Sequence, residues 1–264
     1  MQPRHISLAI ALGLAASASA FATPIVLTNT RPVTVNNAPS GEASLQDILT
    51  GGPSFPQPGV FQGSTVNAQT GQSTAAKFSL AANPGTTIPT FVAEYTANAA
   101  LQSFGIWFGT DSSSLWKKDL FIGAATMGSF AGVSVGNGTL EVIGSQNPAS
   151  TATCGEEINC GFWNNALINP ASFGFYFKVS ANGPTYYTAD SLNTDARKDR
   201  VLAYQNGTTT NWAFAYEDGT DFDYNDMVVK VESIAAAVPE PSSIALLLAG
   251  LGLLGFAARR RTST

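Results

Sequence analysis

From residue 75 onward, apolar and other positions alternate with a period of two. Phe78 and Leu80 flank Ser79, and Leu140 and Val142 flank Glu141. Phe104, Ile106 and Phe108 alternate with Gly105, Trp107 and Gly109. Phe173, Phe175, Phe177 and Val179 alternate with Gly174, Tyr176 and Lys178. Trp212, Phe214 and Tyr216 alternate with Ala213 and Ala215, and Met227, Val229 and Val231 with Val228 and Lys230. Successive side chains of a strand point to opposite faces, so each run predicts a half-buried strand. Gly, Asn, Pro and Asp bound the runs, as turns require. Many strands with one apolar face each predict an all-β fold, an antiparallel β-sandwich of jelly-roll type. One short helix interrupts this pattern. Ser44-Leu45-Gln46-Asp47 fits a capping box, Leu45, Ile48 and Leu49 share a helical face, and Gly51-Gly52 ends it. Residues 24–42 read as an edge strand and loop, and residues 51–74 as loop with a strand near Val60-Phe61. No linker divides residues 24–235, which predicts a single domain over 21–237.

Both ends break the alternation. Arg4 and His5, the apolar stretch Ile6–Ala16 and Ala18-Ser19-Ala20 form the pattern of a secretory signal peptide over residues 1–20. Near the other end, VPEPSS (238–243) precedes the apolar run IALLLAGLGLLGFAA (244–258) and then Arg259, Arg260 and Arg261. As a helix, residues 244–258 would span about 22 Å at 1.5 Å per residue. That is short for a hydrocarbon core of roughly 30 Å, so flanks from Pro241 to Arg261 complete the transmembrane helix. Arginines at both ends stay cytoplasmic and place the intervening chain outside the inner membrane. By themselves these features describe a plain anchor. The order Val238-Pro239-Glu240-Pro241, a Gly/Leu-rich segment and Arg259-Arg260-Arg261 resembles a PEP-CTERM sorting signal over residues 238–261. In that family an exosortase removes the segment from its transient position in the inner membrane, in Gram-negative bacteria that make exopolysaccharide. The resemblance implies exosortase and the secretion machinery as partners, and a product released or attached outside the cell.

Composition agrees with export. Hydrophobic residues make up 44% of the chain and charged residues only 12%, about half the usual charged share. Of 13 Lys+Arg, the processed segment 21–238 loses Arg4 and Arg259–Arg261, leaving 9. Of 18 Asp+Glu it loses Glu240, leaving 17, so its formal charge is −8. That acidity argues against nucleic acid as a partner, which needs a basic surface. The one histidine, His5, lies in the signal segment. The processed chain therefore has no Ser-His-Asp or Cys-His arrangement and no His-containing zinc site. Cys154 and Cys160 lie in CGEEINC, and in an oxidising compartment they predict a structural disulfide worth roughly 2 kcal/mol. The rival is a redox or metal site, which the spacing and the missing histidine disfavour.

Acidity concentrates in EDGTDFDYNDMVVKV (217–231), where Glu217, Asp218, Asp221, Asp223 and Asp226 fall within ten residues. Carboxylates this close are tolerated if water screens them or a cation sits among them. Ca²⁺ takes six to eight hard oxygens, and Asp218, Asp221, Asp223, Asn225 and Asp226 supply that ligand type. D-x-D-x-N at 221–225 echoes an EF-hand loop, with Glu232 at position 12. However, Asp226 stands where that loop needs Gly, and a strand over 227–232 would carry Glu232 about 20 Å away. The expectation is a Ca²⁺ site in a loop between strands, set against a plain solvated turn. Asp190, Asn193 and Asp195 form a second oxygen-rich loop that could complete the site. Tyr186–Asn193, Val201–Tyr204 and Trp212 through Val229 also resemble a secreted bacterial domain of unknown function ending in ED…GDxDYND[ML]V. The resemblance runs over roughly 95–232, with Thr220 in place of the usual Gly. It implies a β-rich extracellular module with a cation-binding loop and assigns no activity.

Other features carry less. Trp107, Trp116, Trp163, Tyr176, Tyr186 and Tyr187 could stack on sugars or be ordinary strand residues. Asn137-Gly-Thr and Asn206-Gly-Thr match a glycosylation sequon but are also turn chemistry. Acid pairs for a glycosidase could come from Glu94, Glu141, Glu217, Asp221 and Asp223, with no spacing that selects one. The expectation is a secreted, non-catalytic, structural or adhesive protein of the extracellular polysaccharide matrix. Its alternatives are a carbohydrate-binding module and a carboxylate-dependent glycoside hydrolase.

Overall fold

The computed structural model describes residue 27 and residues 29–237, apart from 83–84, 94–98, 110–113, 124, 145–153 and 196–198. The signal segment 1–20, the sorting-motif residues 238–241 and 259–261 and the apolar run 244–258 lie outside the described residues. Among the described residues no helix is long and apolar enough to cross a membrane.

The β-sandwich expected from the alternation is present. Its larger sheet has seven strands. One meander contains β10 (Val201–Gln205), β11 (Trp212–Tyr216) and β12 (Met227–Glu232). Another contains β5 (Gly132–Gly136), β6 (Thr139–Ile143) and β7 (Gly161–Asn164). The long β2 (Gly85–Ala93) joins the two, pairing with β12 along 88–93 and with β5 along 85–87. The smaller sheet runs β4 (Trp116–Ile122), β3 (Ser103–Phe108), β8 (Gly174–Lys178), β9 (Thr185–Tyr187). A two-stranded pair, β1 (Phe78–Leu80) with β13 (Ile234–Ala236), completes the set, and Phe78 also bridges to Phe173. Every pairing between these strands is antiparallel.

Between the sheets the apolar positions of the alternation form one core. Phe104, Ile106 and Phe108 from β3, Phe173 just ahead of β8, and Phe175 and Phe177 from β8 face Trp212, Phe214 and Tyr216 from β11 and Val229 and Val231 from β12. Phe78 fills the middle, its ring centroid 5.0 Å from those of both Trp212 and Phe214, edge to face. Such aromatic pairs stabilise beyond their area, by about 0.5–1.5 kcal/mol each.

The half-buried expectation fails for the central strands. β3 and β11 are buried along their whole lengths, whereas β5 and β6 keep the alternation. The reason is a second layer on each outer face. Outside β10–β12, residues 33–68 lay α1 (Leu45–Thr50), Phe55, Phe61 and Ala68 over Leu202, Tyr204, Ala213, Ala215 and Val228. Outside β3 and β8, Trp107, Tyr176 and Tyr187 pack with Ala76, Ala189 and Leu192. The small Ala213 and Ala215 let the covering layer approach the sheet.

α1 forms as its sequence predicts. The Ser44 side chain accepts from the Asp47 N–H at 3.1 Å, and Gly51 ends the helix at a φ of 77° that favours glycine. The reciprocal half of the capping box is replaced, because the Asp47 carboxylate accepts from Ser54 N and Oγ. Residues 29–42 form no strand; their backbone is held by side chains, with Gln72 and Gln69 accepting from Val33 N and Val35 N. Val60-Phe61 is likewise no strand, since its N–H groups bond the C-terminal carbonyls of α1, Ile48 and Leu49.

A candidate cation site between strands 11 and 12

Glu217 follows directly on β11, and its N–H still bonds Arg200 O, so the ladder continues one residue past the strand. Strand alternation then places Glu217 on the side of Ala213 and Ala215, beneath the covering layer, where its exposure is 0%. The chain next turns through Gly219 and Thr220 and returns to β12. On the way Phe222 and Tyr224 take left-handed backbone, φ 56° and 58°. Each such non-glycine residue costs on the order of 1–3 kcal/mol. Tyr224 is anchored in the outer core, and its hydroxyl donates to Asp199. Phe222 lies under the Arg200 guanidinium, 4.8 Å from the ring centroid.

The turn brings the acids together in two groups that share Glu217. One oxygen each of Glu217, Asp221 and Asp223 lie within 4.8 Å of one another, as do those of Glu217, Asp218 and Asp226. Either group could hold a metal ion. Sequence reasoning left Glu217 out of the ligand set, although the parity of β11 places it on this side. All five expected ligands are in the turn, but they divide unequally. Asp223 and Asn225 are each 1% exposed, while Asp221 stands at the surface.

Hydrogen bonds account for part of this polarity. Glu217 accepts from Gly219 N at 2.7 Å and Tyr224 N at 3.4 Å, Asp226 from Asp218 N, and Asp218 from Gln102 Nε2 at 2.6 Å. The Asn225 amide donates twice from Nδ2, to Glu42 Oε2 at 3.1 Å and Ala43 O at 3.0 Å. Two acceptors on that nitrogen fix the amide's orientation. Asn225 Oδ1 and Asp223 Oδ2 are then left buried with no hydrogen-bond partner. Leaving a buried polar atom unpaired costs about 1–3 kcal/mol, so each such atom calls for an explanation.

Charge compensation is thin. Arg200 Nη1 lies 4.0 Å from Glu217 Oε1, but the guanidinium is committed to Asp195, at 2.7 Å, and to Gly219 O. Burial pushes the Asp223 carboxyl up to about 6, Glu217 up to about 7 and Asp226 up to about 9, and neighbouring carboxylates push the same way.

The second oxygen-rich loop does not complete this site. Asp190 pairs with Arg31 at 2.6 Å, Asn193 bonds both backbone groups of Tyr187, and Asp195 pairs with Arg200. Glu232 lies along β12, paired with Lys230, as rejection of the EF-hand requires. Cys154 and Cys160 form a disulfide. Trp107, Tyr176, Tyr186 and Tyr187 are buried, and Lys118 lies 4.1 Å over the ring of half-buried Trp163. Asn137 occupies the two-residue β5–β6 turn, and Asn206 begins the six-residue β10–β11 loop. Glu141 is on the exposed side of β6, and Glu94 is outside the described residues.

Residues 237–261 match the family model of the PEP-CTERM protein-sorting motif, and residues 135–234 match that of DUF4114, a domain of unknown function. No curated protein and no solved structure matches the chain. The sorting motif implies recognition by exosortase. It marks export, a transient membrane-anchored C-terminal signal, and an extracellular or cell-surface location after processing. The acidic turn falls inside the second match, so this chain is a PEP-CTERM protein that carries its candidate cation site within a domain of unknown function.

Proposed function

We propose that this protein is a non-catalytic structural or adhesive component of the extracellular polysaccharide matrix, with Ca²⁺ closing the turn of Glu217, Asp221, Asp223 and Asn225. The observation that carries the cation is the pair of buried, unpartnered oxygens, Asp223 Oδ2 and Asn225 Oδ1, beside a cluster of three carboxylates. A cation satisfies both oxygens and offsets the like charges at once. Carboxylates with an amide oxygen suit Ca²⁺, which accepts irregular sets of hard oxygens. Zinc is disfavoured, since both cysteines are in a disulfide and the sole histidine is His5. The matrix setting is supported by the sorting motif and its link to export.

A glycosidase needs two acids flanking an open cleft. Glu217 and Asp223 are buried at 0% and 1%, which supports a holding role over a reacting one. A single domain over 21–237 is supported by the outer core, where residues 43–68 share side-chain contacts with β10–β12. A thermal melt with Ca²⁺ and with chelator tests the cation reading. A ligand that binds the folded state alone raises stability by RT ln(1 + [L]/Kd). No shift at millimolar Ca²⁺, or an equal shift in Asp223→Ala, would overturn it.

A further inference from the structure

Residues 29–43 are held to the fold in two different ways. The first half is fastened to the body of the sandwich. Asn29 Nδ2 donates to Ala75 O and Thr188 O, Arg31 pairs with Asp190 with its own side chain 1% exposed, and Val33 and Val35 pack against the outer core. The second half, residues 36–42, adds no side chain to that core and is bounded by Val35 and Ala43, which do. Among the described residues, every hydrogen bond that ties residues 36–43 to another part of the fold ends on the acidic turn. Asn36 N donates to Phe222 O at 2.9 Å and Asn36 Nδ2 to Asp221 O, while Glu42 Oε2 and Ala43 O accept from Asn225 Nδ2. A segment with so few apolar contacts opens locally at low cost.

We infer that residues 36–42 form a strap that the cation closes onto the turn, while residues 29–35 stay docked with or without it. The inference rests on the cation reading and adds a moving part to it. One carboxamide couples the two events. The Asn225 amide is planar, so a cation on the unpartnered Oδ1 holds Nδ2 toward Glu42 and Ala43. With no cation, Oδ1 gains a partner only if the amide turns, and turning gives up both bonds to the strap. Charge acts in the same direction. Glu42 is a like charge that disfavours ionised Asp223, and Asp221 belongs to the same carboxylate group. A cation offsets this repulsion across the contact between strap and turn, and its loss restores it. By linkage, closure of the strap and affinity for the cation raise each other by the same factor.

Residue-resolved hydrogen exchange on the purified full chain in detergent, with Ca²⁺ and with chelator, tests this beside thermal melts. Ca²⁺ slows the Asn36 and Glu42 amides at least tenfold more than those of Val33 and Val35, which are bonded to Gln72 and Gln69. Asn225→Asp keeps an oxygen ligand but removes the donor to Glu42 and Ala43. It retains the Ca²⁺-induced melting shift, and its extra slowing over residues 36–42 disappears. A melting shift with equal slowing of both halves, or full extra slowing in Asn225→Asp, would overturn the strap and leave the cation reading in place. Neither a melting shift nor any slowing would overturn both.

Discussion

Asn225 donates its side-chain amide to the Glu42 carboxylate at 3.1 Å, across 183 positions of sequence. This contact joins the layer that covers the larger sheet to the acidic turn. It also decides which way the Asn225 amide faces, because Ala43 O takes the second hydrogen. Glu42→Ala removes one acceptor and frees the amide to rotate. Ca²⁺ affinity, read by titration calorimetry, falls by about tenfold, the equivalent of one hydrogen bond to a charged group. Unchanged affinity would show that the amide's orientation is held by Ala43 alone.

Asp223→Asn separates the cost of the turn from its use. Without Ca²⁺ the variant is more stable than the parent, since it removes a buried charge that burial and Asp221 disfavour. With Ca²⁺ the order reverses, because one anionic ligand is lost. Paired urea denaturations in Ca²⁺ and in chelator show this crossing, and a variant less stable in both conditions contradicts it.

Stability without a cation falls as pH rises. Glu217, Asp223 and Asp226 have folded values near 7, 6 and 9, above their ordinary values near 4. Between about pH 4 and pH 9 the folded state therefore holds protons that the unfolded chain has released, and stability declines through this window. Ca²⁺ takes the place of those protons and flattens the decline. Urea midpoints at pH 4.5, 6, 7.5 and 9, with and without Ca²⁺, measure both slopes. A midpoint that rises with pH in chelator runs against this account.

The covering layer contributes to stability through its own core. Leu49 is 0% exposed and packs toward Tyr204 and Ala215, so Leu49→Ala costs about 2–5 kcal/mol. Ser44→Ala removes the helix cap and costs about 1 kcal/mol. Chemical denaturation gives both values. A Leu49→Ala cost below that of Ser44→Ala would mean the layer is only loosely held to the sheet.

The Cys154–Cys160 disulfide closes a short loop. Replacing both cysteines with serine lowers stability by roughly 2 kcal/mol. Reduction of the intact protein reproduces the loss in the same denaturation assay.

Alternation alone marked β1, β3, β6, β8, β11 and β12, and it left the other strands unmarked. Phe104-Ile106-Phe108 and Trp212-Phe214-Tyr216 lie in β3 and β11 with their large apolar side chains in the core between the sheets. The Ser44 cap and the Gly51 stop were equally local, because both act within one helical turn. The oxygen ligand types of 217–226, the disulfide partners and the sorting residues were also readable from sequence, since each depends on neighbours in the chain. What covers the opposite faces was not readable. Ala213 and Ala215 are compatible with solvent or with a packed layer, and only the fold lays Leu49 and Phe61 upon them. Burial of Glu217 follows from that layer, and so do the orphaned oxygens of Asp223 and Asn225. A cluster of acids in sequence gives the donor chemistry. Whether those oxygens stay in water or are taken out of it depends on a segment some 180 residues away, and that desolvation makes a candidate cation site out of an acidic turn.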